Sequence, residues 1–167
     1  MREDRGAVLV FALLLASLFL VMGIGFLSQR ASQNRAAKSA LLEAQAQACA
    51  EAGLLDAQAK FSRWSSFPPL EDERQRDFSY VETVRDSGGN TLGSYEVTLD
   101  MTYAQEPHFI VRVSSVGRAG SSGSGVEVSY KGEFDVAVME RIPSGRDLMP
   151  NERYLQYLFV ERKVGAK

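Results

Sequence analysis

Hydrophobic positions follow one period up to about residue 61 and another beyond it. Ala7 to Leu27 reads AVLVFALLLASLFLVMGIGFL, 21 residues without a charge. As a helix rising about 1.5 Å per residue, this run covers roughly 31 Å, the thickness of a bilayer's hydrocarbon core. Lipid offers no water to backbone donors and acceptors, so a lone segment crosses only as a helix. From Ser28 to Phe61 there is no proline, and alanine is frequent. Ala37, Leu41, Ala44, Ala48, Ala52, Leu55 and Ala59 recur every three or four positions, the spacing of one helix face. At about 3.67 residues per turn that seam stays nearly straight. Arg35, Lys38, Glu43, Glu51, Asp56 and Lys60 stand mostly away from it. Trp64, Phe67 and Pro68-Pro69 close the helix, since the residue before a proline is pushed out of the helical region. The expected boundaries are residues 7–27 for the span, 28–66 for the second half of the helix and 70–167 for a separate domain.

Beyond a charged connector, Glu71 to Asp77, the period falls to two. Apolar and polar residues alternate from Tyr95 to Tyr103 and again from Val126 to Val138, and Phe78–Val84 and Phe109–Val116 read as two further strands. Each strand has one buried and one wet face. Asp86-Ser-Gly-Gly-Asn90 is a strong turn, Ala104–Pro107 suits a hairpin, and Gly117–Gly125 (GRAGSSGSG) reads as a flexible loop. Short links between successive strands predict an antiparallel meander, and an amphipathic helix covering its apolar face makes an α+β domain. Pro143-Ser-Gly145 breaks the last strand. Tyr154–Val160 is then an edge strand, a short helix started by Asn151 or a segment docked on another subunit; burial of its aromatics on this chain is the favoured reading.

Charge and chemistry narrow the function. The net charge of −2 gives no large basic face, so direct nucleic-acid binding is not expected. Cys49 and His108 are the only residues of their types, which removes an intrachain disulfide, a CxxC pair, cysteine zinc sites and most histidine relays. Cys49 is expected to be a small buried residue and His108 a solvated turn residue. Asp100, Glu127 and Glu133 fall on wet strand faces. No catalytic residue, cofactor or metal site is expected, and the glycine-rich stretch lacks the order of a phosphate-binding loop.

Secretory signals carry apolar runs of about 7–15 residues, so the longer run here reads as a retained anchor. Arg2 and Arg5 precede it while Arg30, Arg35 and Lys38 follow, so charge does not set its orientation. A charged leader ending in Arg5-Gly6, then Ala7-Val8-Leu9-Val10 and an unbroken apolar helix, resembles a type IV prepilin N-terminus, and more closely PilX-type minor pilins. The likeness covers roughly the first 60 residues, through the polar helix ending in Ala48-Cys-Ala-Glu-Ala52. It implies a type IV pilin-like fold: a long N-terminal helix, membrane-spanning in its first half, packed on an antiparallel β-sheet. It further implies that residues 1–6 are a leader, that prepilin peptidase cuts between Gly6 and Ala7, and that Ala7 is methylated. The chain would sit in the bacterial inner membrane with its C-terminal domain in the periplasm before entering a pilus.

Where major pilins carry a glutamate, the fifth residue after that cut, this chain has Phe11. An unpaired carboxylate at that depth costs several kcal/mol, so its loss eases membrane residence and removes one docking contact. The resemblance therefore implies a tip or priming position. Phe11, Ala37, Leu41 and Ala44 are the candidate subunit-contact residues, and Gly23-Ile24-Gly25 a candidate place for the helix to loosen in a fibre. Implied partners are other minor pilins, the major pilin, prepilin peptidase, the inner-membrane assembly platform and the lipid bilayer. Alternatives are a type II secretion pseudopilin and a bitopic periplasmic receptor or binding module.

Overall fold

The computed structural model describes residues 3–64, 66–70, 72, 75–120, 125–141 and 148–164. Helix α1 (Glu3–Arg63) precedes strands β1 (Asp77–Arg85), β2 (Thr91–Asp100), β3 (Ile110–Ala119), β4 (Val126–Asp135), β5 (Met139–Arg141), β6 (Leu148–Pro150) and β7 (Tyr157–Val164). The chain forms two compact units, Met1–Leu41 and Leu42–Lys167. Much of the charged connector, the centre of the glycine-rich stretch and the Pro143–Gly145 break lie outside the described residues.

In the first unit α1 runs unbroken through Gly23 and Gly25, where an added Cβ would meet nothing within 4 Å. Ser17 supplies the only hydroxyl of the apolar run, and its Oγ donates to the Leu14 carbonyl at 2.8 Å. No free polar group is thereby left facing lipid. Every residue from Leu9 to Leu27 is exposed, and among the described residues this is the one helix long and apolar enough to cross a membrane.

In the second unit α1 packs on a five-stranded antiparallel sheet in the order β1-β2-β3-β4-β7, with β5 and β6 pairing separately. The α+β fold expected from the two periods, with the pilin-like arrangement that the resemblance implied, is the fold that forms. Val97, Leu99, Val111, Val113, Val128 and Phe134 are fully buried beneath Ala46, Ala50, Leu54 and Ala57 of the helix. Burying each branched or aromatic side chain is worth about 1.5–3 kcal/mol. Phe61, Phe67, Phe78, Phe134 and Tyr157 close the end of the core through edge-to-face contacts at 5.0–5.7 Å.

Several strand boundaries differ from expectation, and β2 already begins at Thr91. β2 ends at Asp100 instead of Tyr103, because the Asp100 carboxylate accepts the Thr102 N–H at 2.9 Å and the Met101 N–H turns to the Arg76 carbonyl. β4 ends at Asp135 for a like reason: Val136 donates to the Phe109 carbonyl and Ala137 to the Asp135 carboxylate, leaving Val138 outside the strand. β3 instead runs on through Gly117 and Arg118 to Ala119, residues expected in the loop, pairing them with Val128, Glu127 and Val126.

The largest correction concerns the helix face. The C-terminal part of the alanine stripe was expected against the sheet and its N-terminal part against neighbouring helices, yet Ala48 is exposed, Leu55 is 64% exposed, and Ala52 and Ala59 are only half-buried. The docked face is Leu42, Ala46, Cys49, Ala50, Gly53, Leu54, Ala57 and Phe61. Small residues occur on both sides of this helix, so period alone leaves the choice open; the sheet takes the side where backbone meets backbone. A Cβ on Gly117 would overlap the Ala46 carbonyl oxygen and the Ala50 amide nitrogen, and one on Gly53 would overlap Ser115 Oγ. Ser115 is fully buried there, the one buried side-chain polar atom without a partner among the described residues.

Candidate assembly surfaces

Of the candidate residues, Phe11, Ala37, Leu41 and Ala44 lie on the outside. Gly6 and Ala7 lie in the first turns of α1, and their surroundings are outside the described residues. Phe11 is 66% exposed and Leu41 59% exposed, with Ala37 and Ala44 exposed as well. None of these four is used by the core. In the second unit Ala44, Ala48 and Leu55 lie on the face of α1 turned from the sheet, and so stay free for another helix. Small residues there would let a partner backbone approach closely.

The tail resolves as an edge strand. Tyr157 is partly buried, its hydroxyl donating to the Leu54 carbonyl at 2.7 Å, and Leu155 is buried under Gln58, which donates to its carbonyl. Tyr154, Leu158 and Phe159 were expected to be buried; they are instead 39–47% exposed, alongside Val160. Among the described residues β7 pairs along one edge, against β4, and these apolar side chains stand on the border of the sheet.

Sequence reasoning missed a polar clasp between α1 and β1–β2. Lys60 lies between Asp56, at 2.7 Å, and Glu82, with its ammonium 3.7 Å from the Tyr80 ring centre. Tyr80 donates to Asp56 at 2.8 Å and Tyr95 to Glu82 at 3.0 Å. From the sequence, Asp56 and Lys60 were placed only as charges standing mostly away from the seam. The missing signal was long-range: Glu82 falls on the helix side of β1, opposite Tyr95. Burial pulls Lys60 down, but the hydrogen bonds and charges of Asp56 and Glu82 outweigh it and hold the ammonium above its ordinary value. Burial, then bonds to those carboxylates, pushes Tyr80 and Tyr95 up; burial alone raises Tyr157. Groups locked in their protonated forms fasten the helix and are poor bases or nucleophiles. Beside them a groove of about 340 Å³ is lined by Trp64, Phe67, Phe78, Tyr80 and Val81.

These tyrosines set an alkaline limit. Their folded pKa values lie above the unfolded value near 10, so above that pH the unfolded chain sheds protons the folded one keeps. Their stabilisation is complete below about pH 10 and is lost as pH rises further. The urea midpoint is expected to stay flat from about pH 7 to 9 and fall above 10, with the tyrosinate absorbance of Tyr80, Tyr95 and Tyr157 appearing only as structure is lost. Tyr80→Phe and Tyr157→Phe should each shallow that fall.

On the sheet's other face Arg112 pairs with Glu133 at 2.7 Å, and Arg118 with Glu96 and Glu127 at 2.8 and 3.0 Å. Such exposed pairs are worth about 0–1 kcal/mol each. Hydrogen bonding from Thr102 holds the Asp100 carboxyl below its ordinary value. His108 is exposed, edge-on to Tyr103 at 5.5 Å. Cys49 is buried, which raises its thiol. Among the described residues no three His, Cys, Asp or Glu side chains come together to hold a metal.

Compared with known protein families, curated proteins and solved structures, the chain matches none.

Proposed function

We propose that the chain is a minor pilin of PilX type that joins a priming or tip complex in type IV pilus assembly. The observation carrying this is α1 itself: apolar on every side over Leu9–Leu27, and docked through alanine and glycine on an antiparallel sheet over its last 20 or so residues. A helix apolar all round is at home in lipid or among other apolar helices. A subunit passing from bilayer to fibre exchanges one setting for the other. Lipid tails are as apolar as leucine, so the exchange is nearly balanced and extraction falls to an assembly motor.

In this reading Gly6–Ala7 is the peptidase bond and Ala7 the methylated N-terminus. Phe11 replaces the carboxylate that would dock a subunit above, which suits a terminal position. The exposed Ala37, Leu41 and Ala44 meet neighbouring minor and major pilins. The role is mechanical, not catalytic, and the protein waits in the inner membrane with its domain in the periplasm.

Intact mass of protein purified from its native membrane tests this. The mature chain is expected to lack Met1–Gly6 and to carry one added methyl group. A persistent leader overturns the pilin reading and leaves a bitopic receptor, for which the Trp64–Tyr80 groove would be the ligand site. With processing found, a type II secretion pseudopilin is distinguished by which subunits copurify.

A further inference from the structure

We propose that the helix just beyond the apolar run binds the headgroup of an anionic phospholipid, seated in a notch formed by Phe26, Gln29, Arg30 and Gln33. This rests on the membrane-anchored reading of α1. Between Asp4 and Glu43 the chain carries four cations and no acid, and three of them, Arg30, Arg35 and Lys38, follow the apolar run. At about 100° per residue these three fall within about 140° of the helix circumference, giving one basic flank.

Direction strengthens the case. Side chains on an α-helix lean toward its N-terminus, which here is toward the bilayer. Arg30 does so: its guanidinium carbon lies 5.1 Å from the centre of the Phe26 ring, one turn back toward the span. The charge is thereby carried to the level where hydrocarbon gives way to headgroups, its stem and fork held over an aromatic face. The notch beside it measures about 210 Å³. A guanidinium fork matches two phosphate oxygens, and the amides of Gln29 and Gln33 line the same notch as further donors. The Arg35 and Lys38 Cα atoms stand about 7.5 and 12 Å above that of Arg30, and their side chains reach back to within roughly one Debye length of the surface. A zwitterionic lipid cancels much of this attraction with its own ammonium; an anionic one does not.

The test uses the full chain reconstituted in phosphatidylcholine vesicles holding a minority of phosphatidylglycerol. Membrane insertion is scored first by resistance to a urea wash. Spin-labelled phosphatidylglycerol and phosphatidylcholine are then compared for association with the protein. Since each basic group at an anionic surface is worth about fivefold, a preference of about fivefold or more for phosphatidylglycerol is expected at low salt, shrinking as salt rises. Arg30→Gln with Arg35→Gln and Lys38→Gln should bring the ratio to about one, while Lys131→Gln, on the sheet, should leave it unchanged. Replacing chloride with inorganic phosphate at equal ionic strength should also leave it unchanged; loss there would mean a free-phosphate site and overturn the lipid assignment. An inserted protein with equal association of both lipids, or a preference surviving the triple variant, overturns this proposal alone. Failure to insert overturns the anchor and with it the proposal.

Discussion

Gly117→Val is expected to leave residues 42–167 unfolded, or to lower their melting temperature by tens of degrees. A Cβ at this position would overlap the Ala46 carbonyl oxygen and the Ala50 amide nitrogen, both in the backbone of α1. Backbone atoms inside a helix cannot rotate aside, so the helix must lift from β3, and the burial of Ala46, Ala50 and Leu54 goes with it. Overpacking of this kind costs several kcal/mol against a total stability of about 5–15 kcal/mol. Thermal melting of the full chain in detergent, followed by circular dichroism at the sheet band, reads the effect. Gly23→Ala is the control: nothing lies within 4 Å of its Cβ, and the domain should melt as the parent does. A Gly117→Val protein melting within a few degrees of the parent would show that the helix does not sit on β3 as described.

Gly6→Leu is expected to abolish maturation while leaving the folded domain untouched. Gly6 ends the charged leader and opens the apolar run, and in the proposed reading the peptidase needs a residue without a side chain before the cut bond. The variant should accumulate in the membrane with Met1–Gly6 attached, and surface filaments should fall to near background. Its domain should melt with the parent's, because Gly6 belongs to the other compact unit. Normal trimming or undiminished filament number would refute the processing claim, with no ambiguity from misfolding.

The outline of the fold could be read directly from spacing. A 21-residue uncharged run and a switch from period 3.6 to period two are properties of neighbouring residues, and they led to α1 and to four of the five main strands. What escaped depended on residues far apart. Gly117 has the look of a loop residue beside Gly120, Gly123 and Gly125, and only the approach of Ala46 and Ala50 shows why a glycine belongs inside β3. The docked face of α1 was misread because alanines at 44, 48 and 52 rival those at 46, 50 and 57; glycine at 53 and cysteine at 49, both on the true face, carry little hydrophobic signal. Lys60 and Glu82 meet across 22 positions, beyond any local pattern. Tyr154–Val160 was too short for period to assign, and edge position decides it. The candidate contact residues were legible only by resemblance, apart from the stripe containing Ala37, Leu41 and Ala44.

The last strand fastens the first helix. Tyr157 and Leu155 bond to Leu54 and Gln58, and Arg162 reaches Glu43 at 2.8 Å, across separations of 97 to 119 residues. A nascent chain emerges from its ribosome in the opposite order, helix first. Until residues 155–162 have been synthesised, Ala46, Ala50 and Leu54 lack part of their cover, and a greasy helix waits with a half-made sheet. Folding of residues 42–167 is therefore expected to finish only after the last strand has been made, with an interval in which that apolar helix face is incompletely covered.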